Sequence, residues 1–115
     1  MDIKYVKEGF VYLIANSDVD GVYKIGVTTG DIYKRIKELQ TGNSGELYLI
    51  NYHKSNHPFF VEHTIHDRLA PNNKLNEWFE LSDEQVFSFK KLCDEVEGMI
   101  NALKDNPFMS KHLVD

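Results

Sequence analysis

The order of strand-like and helix-like patterns between residues 9 and 81 is the feature that most restricts what this chain can fold into. Gly9 to Asn16 (GFVYLIAN) and Val22 to Thr28 (VYKIGVT) are short apolar runs, rich in the β-branched and aromatic residues that strands favour. The segment Ser17 to Gly21 between them contains aspartate and glycine, which are turn residues. Together these segments predict a β-hairpin with a five-residue loop.

Residues 31–40 predict the helix that follows the hairpin. Ile32, Ile36 and Leu39 are spaced i, i+4, i+7 and therefore lie on one face of a helix. Asp31 is a residue type that accepts hydrogen bonds at a helix start. Arg35 lies off the apolar face, toward its edge.

A third strand and a second helix come next in the sequence. Residues 47–52 (LYLINY) have the composition of a strand, and Pro58 suits the first turn of a helix that runs to about Leu69. Glu62 and His66 are four residues apart, so they share a face of this helix.

A short strand and a long helix complete the pattern. Residues 77–81 (EWFEL) are strand-like, and Ser82 with Gln85 three residues later forms a capping-box pattern. The apolar residues of the following helix have 3-4 spacing and are Val86, Phe89, Cys93, Val96, Ile100 and Leu103. We therefore predict an α/β fold, with a small mixed, mainly antiparallel sheet flanked by helices and a long C-terminal helix.

The length of 115 residues predicts a single domain. We divide the chain into an N-terminal lead at residues 1–8, a sheet-and-helix domain at 9–81, a helix packed on that domain at 82–104, and a tail at 105–115. Cys93 is the one cysteine, which excludes an internal disulfide, and its apolar surroundings predict burial. No segment has the roughly 18 apolar residues of a membrane span. We expect an intracellular protein, cytoplasmic or, in a eukaryotic host, nuclear.

Several short motifs occur in an informative order. Phe10-Val11-Tyr12 is followed by Tyr23-Lys24-Ile25-Gly26, then by Arg35 nine residues after the glycine, and then by a lone Glu62 on a later helix. This arrangement resembles the GIY-YIG endonuclease superfamily, and it is most similar to the compact phage and virus branch that ends with Glu-Trp-Phe, here residues 77–79. The order and spacing of all the motifs carry the resemblance, since each alone recurs by chance.

The resemblance implies a divalent-metal-dependent endonuclease that hydrolyses DNA. Arg35 would bind a phosphate through its planar guanidinium, and Glu62 would hold Mg²⁺ or Mn²⁺. Tyr12 would position or deprotonate the attacking water. Lys24 would favour the phenolate of Tyr12 by lowering its pKa. Tyr23 and Lys24 together would replace the second tyrosine of the superfamily motif.

Other interpretations of the same residues stay open. His66 could transfer a proton near the scissile bond or assist Glu62 at the metal. The spacing of His53, His57, His63 and His66 also occurs in zinc sites, although no cysteine accompanies it. Arg35 could instead pair with Glu38 or Asp31 on the surface. Gly26 predicts a bulge or a close approach by another group.

Two other functions compete with the nuclease. The net charge of −5 opposes non-specific DNA binding, although residues 22–40 carry four basic side chains against two acidic ones. This charge and the altered motifs favour a catalytically inactive nucleic-acid-binding module with the same fold. The helix at 82–104 would also suit a protein-interaction or assembly subunit. A homodimer, and membership in a longer DNA-binding protein, remain open.

Overall fold

A five-stranded antiparallel sheet forms the centre of the computed structural model, which describes residues 7–104. The strands are β1 Gly9–Asn16, β2 Val19–Thr28, β3 Leu47–Ser55, β4 Asn73–Leu75 and β5 Trp78–Glu80. The helices are α1 Ile32–Gln40, α2 Pro58–Arg68, α3 Asp83–Phe87 and α4 Phe89–Lys104, with a 3-10 turn at Ala70–Asn72. The strand order is β3-β1-β2-β5-β4. The predicted fold class is confirmed, whereas the tail at 105–115 and most of the lead at 1–8 lie outside the described residues.

The hairpin turn differs from the prediction. β2 begins at Val19 rather than Val22, so the expected five-residue loop is wrong. Asn16 pairs with Val19, whereas the residue before Asn16 pairs with Tyr23, so part of β2 bulges out of the ladder. Gly21 in this bulge has a φ of 74°, which glycine adopts without steric cost. Residues 19–21, which were predicted to lie in the loop, therefore belong to β2 but are out of regular register with β1.

Two further elements were not predicted as they occur. β4 was not predicted, because the sequence of its three residues shows no apolar alternation, and all three are exposed. The long C-terminal helix is divided at Ser88 into α3 and α4. The start of α3 was predicted correctly, since the side chain of Ser82 accepts a hydrogen bond from the Gln85 amide and the Gln85 side chain accepts one from the Ser82 amide.

The sheet has a separate apolar core on each face. The larger core joins the sheet to α2 and α4 and contains Val11, Leu13, Ile25, Val61, Ile65, Phe79, Leu81, Phe89, Cys93, Val96 and Ile100. The smaller core contains Tyr12, Ile14 and Leu47, and Ile36 and Leu39 of α1 pack against it. Burial raises the pKa of the Cys93 thiol to about 12, in keeping with the predicted role of a small buried hydrophobe.

Polar contacts also fix α4 to the sheet. His53 of β3 is buried, and its Nε2 lies 2.9 Å from Oε1 of Glu97. Its Nδ1 lies 2.9 Å from Nζ of Lys90 on the same helix. None of the helices in residues 7–104 is long and apolar enough to cross a membrane.

Two phenylalanines near the α3–α4 junction allow a matched test of this packing. Phe89 is 2% exposed in the larger core, whereas Phe87 is 86% exposed. We expect Phe89→Ala to lower the free energy of unfolding by about 3–5 kcal/mol, because it leaves a cavity in the core. Phe87→Ala should change it by less than about 0.5 kcal/mol. Urea denaturation measures both, and equal effects would contradict the packing of α4 described above.

Candidate active site

The short length of β5 leaves one edge of β2 open. β5 pairs with β2 through Val22, Tyr23 and Lys24 only. The last backbone hydrogen bond on this side runs from the Ile25 amide to the Glu77 carbonyl at 3.0 Å. Among residues 7–104, no strand pairs with this edge of β2 from Gly26 onward. Side chains from both faces of the sheet meet around this opening.

Glu62, His66 and Glu77 form a cluster on one side of the opening. One ligand atom from each of the three lies within 4.8 Å of the others, and each residue is half-buried. Two oxygen ligands on opposite sides of a Mg²⁺ ion are about 4.2 Å apart, since each bond is about 2.1 Å. Adjacent ligands are about 3.0 Å apart, so side-chain rotations that move these atoms by about an ångström or two would let the three groups share one ion. The two carboxylates suit Mg²⁺ or Mn²⁺, whereas an imidazole ligand is more typical of transition metals.

The orientation of His66 is set by the backbone of β2. Its Nε2 lies 2.8 Å from the carbonyl oxygen of Ile25, and because a carbonyl only accepts, Nε2 carries a proton and donates. The ring also packs edge-on against Phe79, with centroids 4.8 Å apart. In the neutral ring Nδ1 then keeps its lone pair for a metal or a proton.

The environment of Glu62 opposes its negative charge. Burial raises the pKa of the Glu62 carboxyl group, and the negative charge of Glu77 raises it further, while His66 acts in the opposite direction. A cation bound between the two carboxylates would offset both unfavourable effects. The chemistry of this cluster therefore fits a divalent metal ion.

Lys24 supplies a positive charge to the same cluster. Its Nζ lies 3.3 Å from Oε2 of Glu77 and 5.5 Å from the centroid of the Trp78 ring. Both contacts follow from the pairing of Lys24 with Trp78 in the sheet. Lys24 thus lies beside the acidic group of the site.

Tyr12 reaches the opening from the other face of the sheet. Its phenol lies directly over Gly26, where an added Cβ would be 2.6 Å from the ring carbon Cζ. Gly26 therefore marks a close approach by another group, as the sequence predicted. Burial raises the pKa of Tyr12, and the neighbouring Arg35 guanidinium partly offsets this. Arg35 is thus the cation with the largest effect on the phenol, a role that the sequence analysis gave to Lys24.

Arg35 faces both the phenol and the solvent. It lies 3.6 Å from a carboxylate oxygen of Glu38, so the surface pair considered from the sequence is present. It also lines a groove of ≈ 360 Å³ whose walls include Lys34 and the exposed ring of Phe59. The N-terminal cap of α1 is confirmed, since the Asp31 side chain accepts a hydrogen bond from the Lys34 amide at 3.0 Å. That cap fixes the helix turn that carries Arg35.

Two residues lie elsewhere than the sequence suggested. Tyr23 packs against the larger core, while Lys24 beside it on β2 contacts Trp78 of the smaller core. From the sequence, Glu77 had no role beyond its place in the Glu-Trp-Phe motif, yet it belongs to the cluster with Glu62. The sequence signal that could have identified Glu77 is its position directly before Trp-Phe.

The four histidines considered for zinc do not converge among the described residues, because His53 binds Glu97 and Lys90 and His63 pairs with Asp67.

Comparison with known proteins identifies one relationship. The family model described as the T5orf172 domain matches residues 9–94, which covers β1 through the first six residues of α4. No match was found among the curated proteins or among the solved structures.

Gly26→Ala tests the contact between the phenol and β2. The added Cβ would meet the Tyr12 ring at 2.6–2.7 Å from Cζ and Cε1, so the ring must move. We expect the free energy of unfolding to fall by about 1–3 kcal/mol, as for other overpacked positions. Gly98→Ala is the control, since nothing lies within 4 Å of its added Cβ in α4, and it should gain about 0.5–1 kcal/mol. Unchanged urea denaturation of Gly26→Ala would contradict the contact.

Proposed function

This chain belongs to the T5orf172 domain family, and we propose that it is a divalent-metal-dependent endonuclease that hydrolyses phosphodiester bonds in DNA by a GIY-YIG-type mechanism. The T5orf172 domain is a phage-associated domain of endonuclease type, which supports a nuclease-like function on DNA. The observation that carries the proposal is the meeting of Glu62, His66 and Glu77 with Tyr12 and Arg35 around the open edge of β2. These residues come from four separate segments of the chain.

Glu62 and Glu77 would hold the cation, with His66 as a third ligand or as a proton acceptor. A bound divalent cation would neutralise charge on the phosphoryl oxygens and polarise the phosphorus centre. Lys24 forms an ion pair with Glu77 and would add positive charge beside a bound phosphate. The guanidinium of Arg35 would donate hydrogen bonds to the non-bridging oxygens from its groove.

Tyr12 would act on the attacking water. As a phenol it can only orient the water, whereas the phenolate, formed by loss of its proton to solvent, can take a proton from it. The hydroxide then forms a bond to phosphorus, and the bond from phosphorus to one sugar oxygen breaks. That oxygen leaves with the electron pair and takes up a proton. Because burial raises the pKa of Tyr12, turnover should rise with pH into the alkaline range.

Glu62→Gln tests the metal assignment. The amide keeps the shape of the side chain but is a poor ligand, so we expect loss of DNA nicking in Mg²⁺ or Mn²⁺. Wild-type protein should gain about 2.7 kcal/mol of stability at a hundredfold excess of Mn²⁺ over its Kd, and Glu62→Gln should lose most of that gain. Thermal denaturation with and without Mn²⁺ measures this separately from activity.

The control for Glu62→Gln is Glu80→Gln, an exposed carboxylate on β5 that pairs with Lys74 instead of the cluster. It should behave as wild type. In chelator at pH 7, Glu62→Gln should be at least as stable as wild type, because the raised pKa makes the ionised carboxylate a cost of folding. That cost is present above the folded-state pKa and disappears as the pH falls through it. Wild-type nicking by Glu62→Gln would refute the metal role.

Arg35→Ala and Tyr12→Phe should fail in different ways. Arg35 would contact the phosphate before and during the reaction, so its loss should weaken DNA binding and turnover together. Tyr12→Phe should spare binding, lower kcat, and abolish the rise of kcat with pH. Binding by fluorescence anisotropy and kcat across pH distinguish the two. Full activity of Tyr12→Phe at every pH would exclude an action of Tyr12 on water. If wild type binds DNA but does not cleave it with any metal, the chain is the inactive binding module instead.

A further inference from the structure

An aromatic patch lies beside the candidate site on the face of the sheet that carries Tyr12. Tyr52 of β3 is directly opposite Tyr12 in the strand register and is 47% exposed. Phe10 lies two residues before Tyr12 on the same face of β1. Its ring contacts that of Tyr52 edge-to-face, with centroids 5.8 Å apart and an angle of 74°. Tyr33 of α1, 69% exposed, is the third aromatic side chain around a cavity of ≈ 190 Å³.

This aromatic patch adjoins the groove of Arg35. Asp31 lines both cavities, and its carboxylate is already engaged by the Lys34 amide as the cap of α1. Lys34 and Arg35 lie on the groove side of that cap. Cationic side chains and exposed aromatic faces thus follow one another along a continuous surface.

A surface of cationic side chains beside exposed aromatic rings is complementary to single-stranded nucleic acid. Proteins bind single strands by tracking the phosphates with basic side chains and stacking successive bases on aromatic rings. A base within a duplex is stacked between its neighbours and leaves only its edge accessible, so it cannot lie against Tyr33 or Tyr52. An unpaired base attached to a phosphate at Arg35 would be free to lie against these rings, since the two cavities share Asp31 in their walls.

We infer that Phe10, Tyr33 and Tyr52 form a stacking surface for unpaired nucleobases beside the phosphate bound at Arg35. This inference rests on the proposed function and specifies its substrate as DNA with a single-stranded or splayed segment next to the cleaved bond. The aromatic rings would distinguish unpaired bases from paired ones. The groove of Arg35 would bind the phosphate of any nucleotide, whatever its base.

The test compares two labelled oligonucleotides of equal length, oligothymidylate and an abasic strand, which carry the same phosphates. Fluorescence anisotropy in chelator measures binding without cleavage. Wild type should bind oligothymidylate about tenfold or more tightly than the abasic strand. The double variant Tyr33→Leu/Tyr52→Leu keeps apolar side chains but removes the aromatic faces, and it should lose this preference while its affinity for the abasic strand stays unchanged.

Tyr48→Leu is the matched control. Tyr48 lies on the same strand as Tyr52 and is 46% exposed, but it pairs with Ala15, whose side chain points to the opposite face of the sheet from Tyr12. It should keep the wild-type preference. Equal wild-type affinity for both strands, or an unchanged preference in the double variant, would overturn the inference. A third outcome would also overturn it: wild type shows no base preference and forms a dimer, and the double variant is a monomer. The patch would then be a protein interface.

The two proposals fail separately. Cleavage of duplex plasmid by wild type in Mg²⁺, combined with no base preference in chelator, would overturn the stacking surface and leave the nuclease intact. A base preference without cleavage in any metal would overturn the nuclease and leave a single-strand binder.

Discussion

The double burial of β1 is the constraint on which the rest of the molecule depends. β1 pairs with β2 on one side and with β3 on the other, and its residues from Val11 to Ile14 are almost inaccessible to solvent. Alternate residues of a strand point to opposite faces, so Val11 and Leu13 enter the core under α2 and α4 while Tyr12 and Ile14 enter the core under α1. A slip of one residue would exchange the two sets and withdraw the phenol from Gly26. Core packing therefore fixes the position of Tyr12.

The candidate site combines groups that do not favour folding. Glu62 and Glu77 lie close together in a half-buried position, and the pKa of Glu62 is raised mainly by burial. Lys24 offsets part of this repulsion through its ion pair with Glu77. Such an arrangement is typical of functional sites, where charges are placed for a ligand at some expense of stability. A bound cation would supply the missing positive charge.

Residues that favour helix starts correctly predicted where three of the helices begin. Asp31 and Ser82 start α1 and α3 through side-chain hydrogen bonds within one helical turn, and Pro58 suits the start of α2 through its fixed φ. The sequence also identified Gly26 as a position of close approach. The sequence did not predict the bulge at Gly21, because the bulge depends on the pairing register of β2 with β1 over several residues.

The place of Glu77 before Trp-Phe did not reveal its contacts with Glu62 and with Lys24, for a related reason. Both depend on the register of β2 against β5, which joins residues more than fifty positions apart. The break at Ser88 lies inside a continuous apolar pattern that gives no warning of it. Arg35 was placed on its helix correctly, but its contact with the phenol requires α1 to pack across the sheet.

The hairpin of β4 and β5 has a consequence for how a metal site would be assembled. Glu77 lies in its turn, directly after Asn76, whose φ of 52° is uncommon for a residue other than glycine. Each strand of this hairpin is three residues long, and β4 is one of the two edge strands of the sheet. Short edge segments of this kind open locally at far lower free energy than a whole domain, and their amides exchange with solvent first. One candidate ligand of the cluster is therefore carried by this short hairpin, while Glu62 and His66 lie on α2. Binding of an ion to all three groups would be coupled to docking of the hairpin.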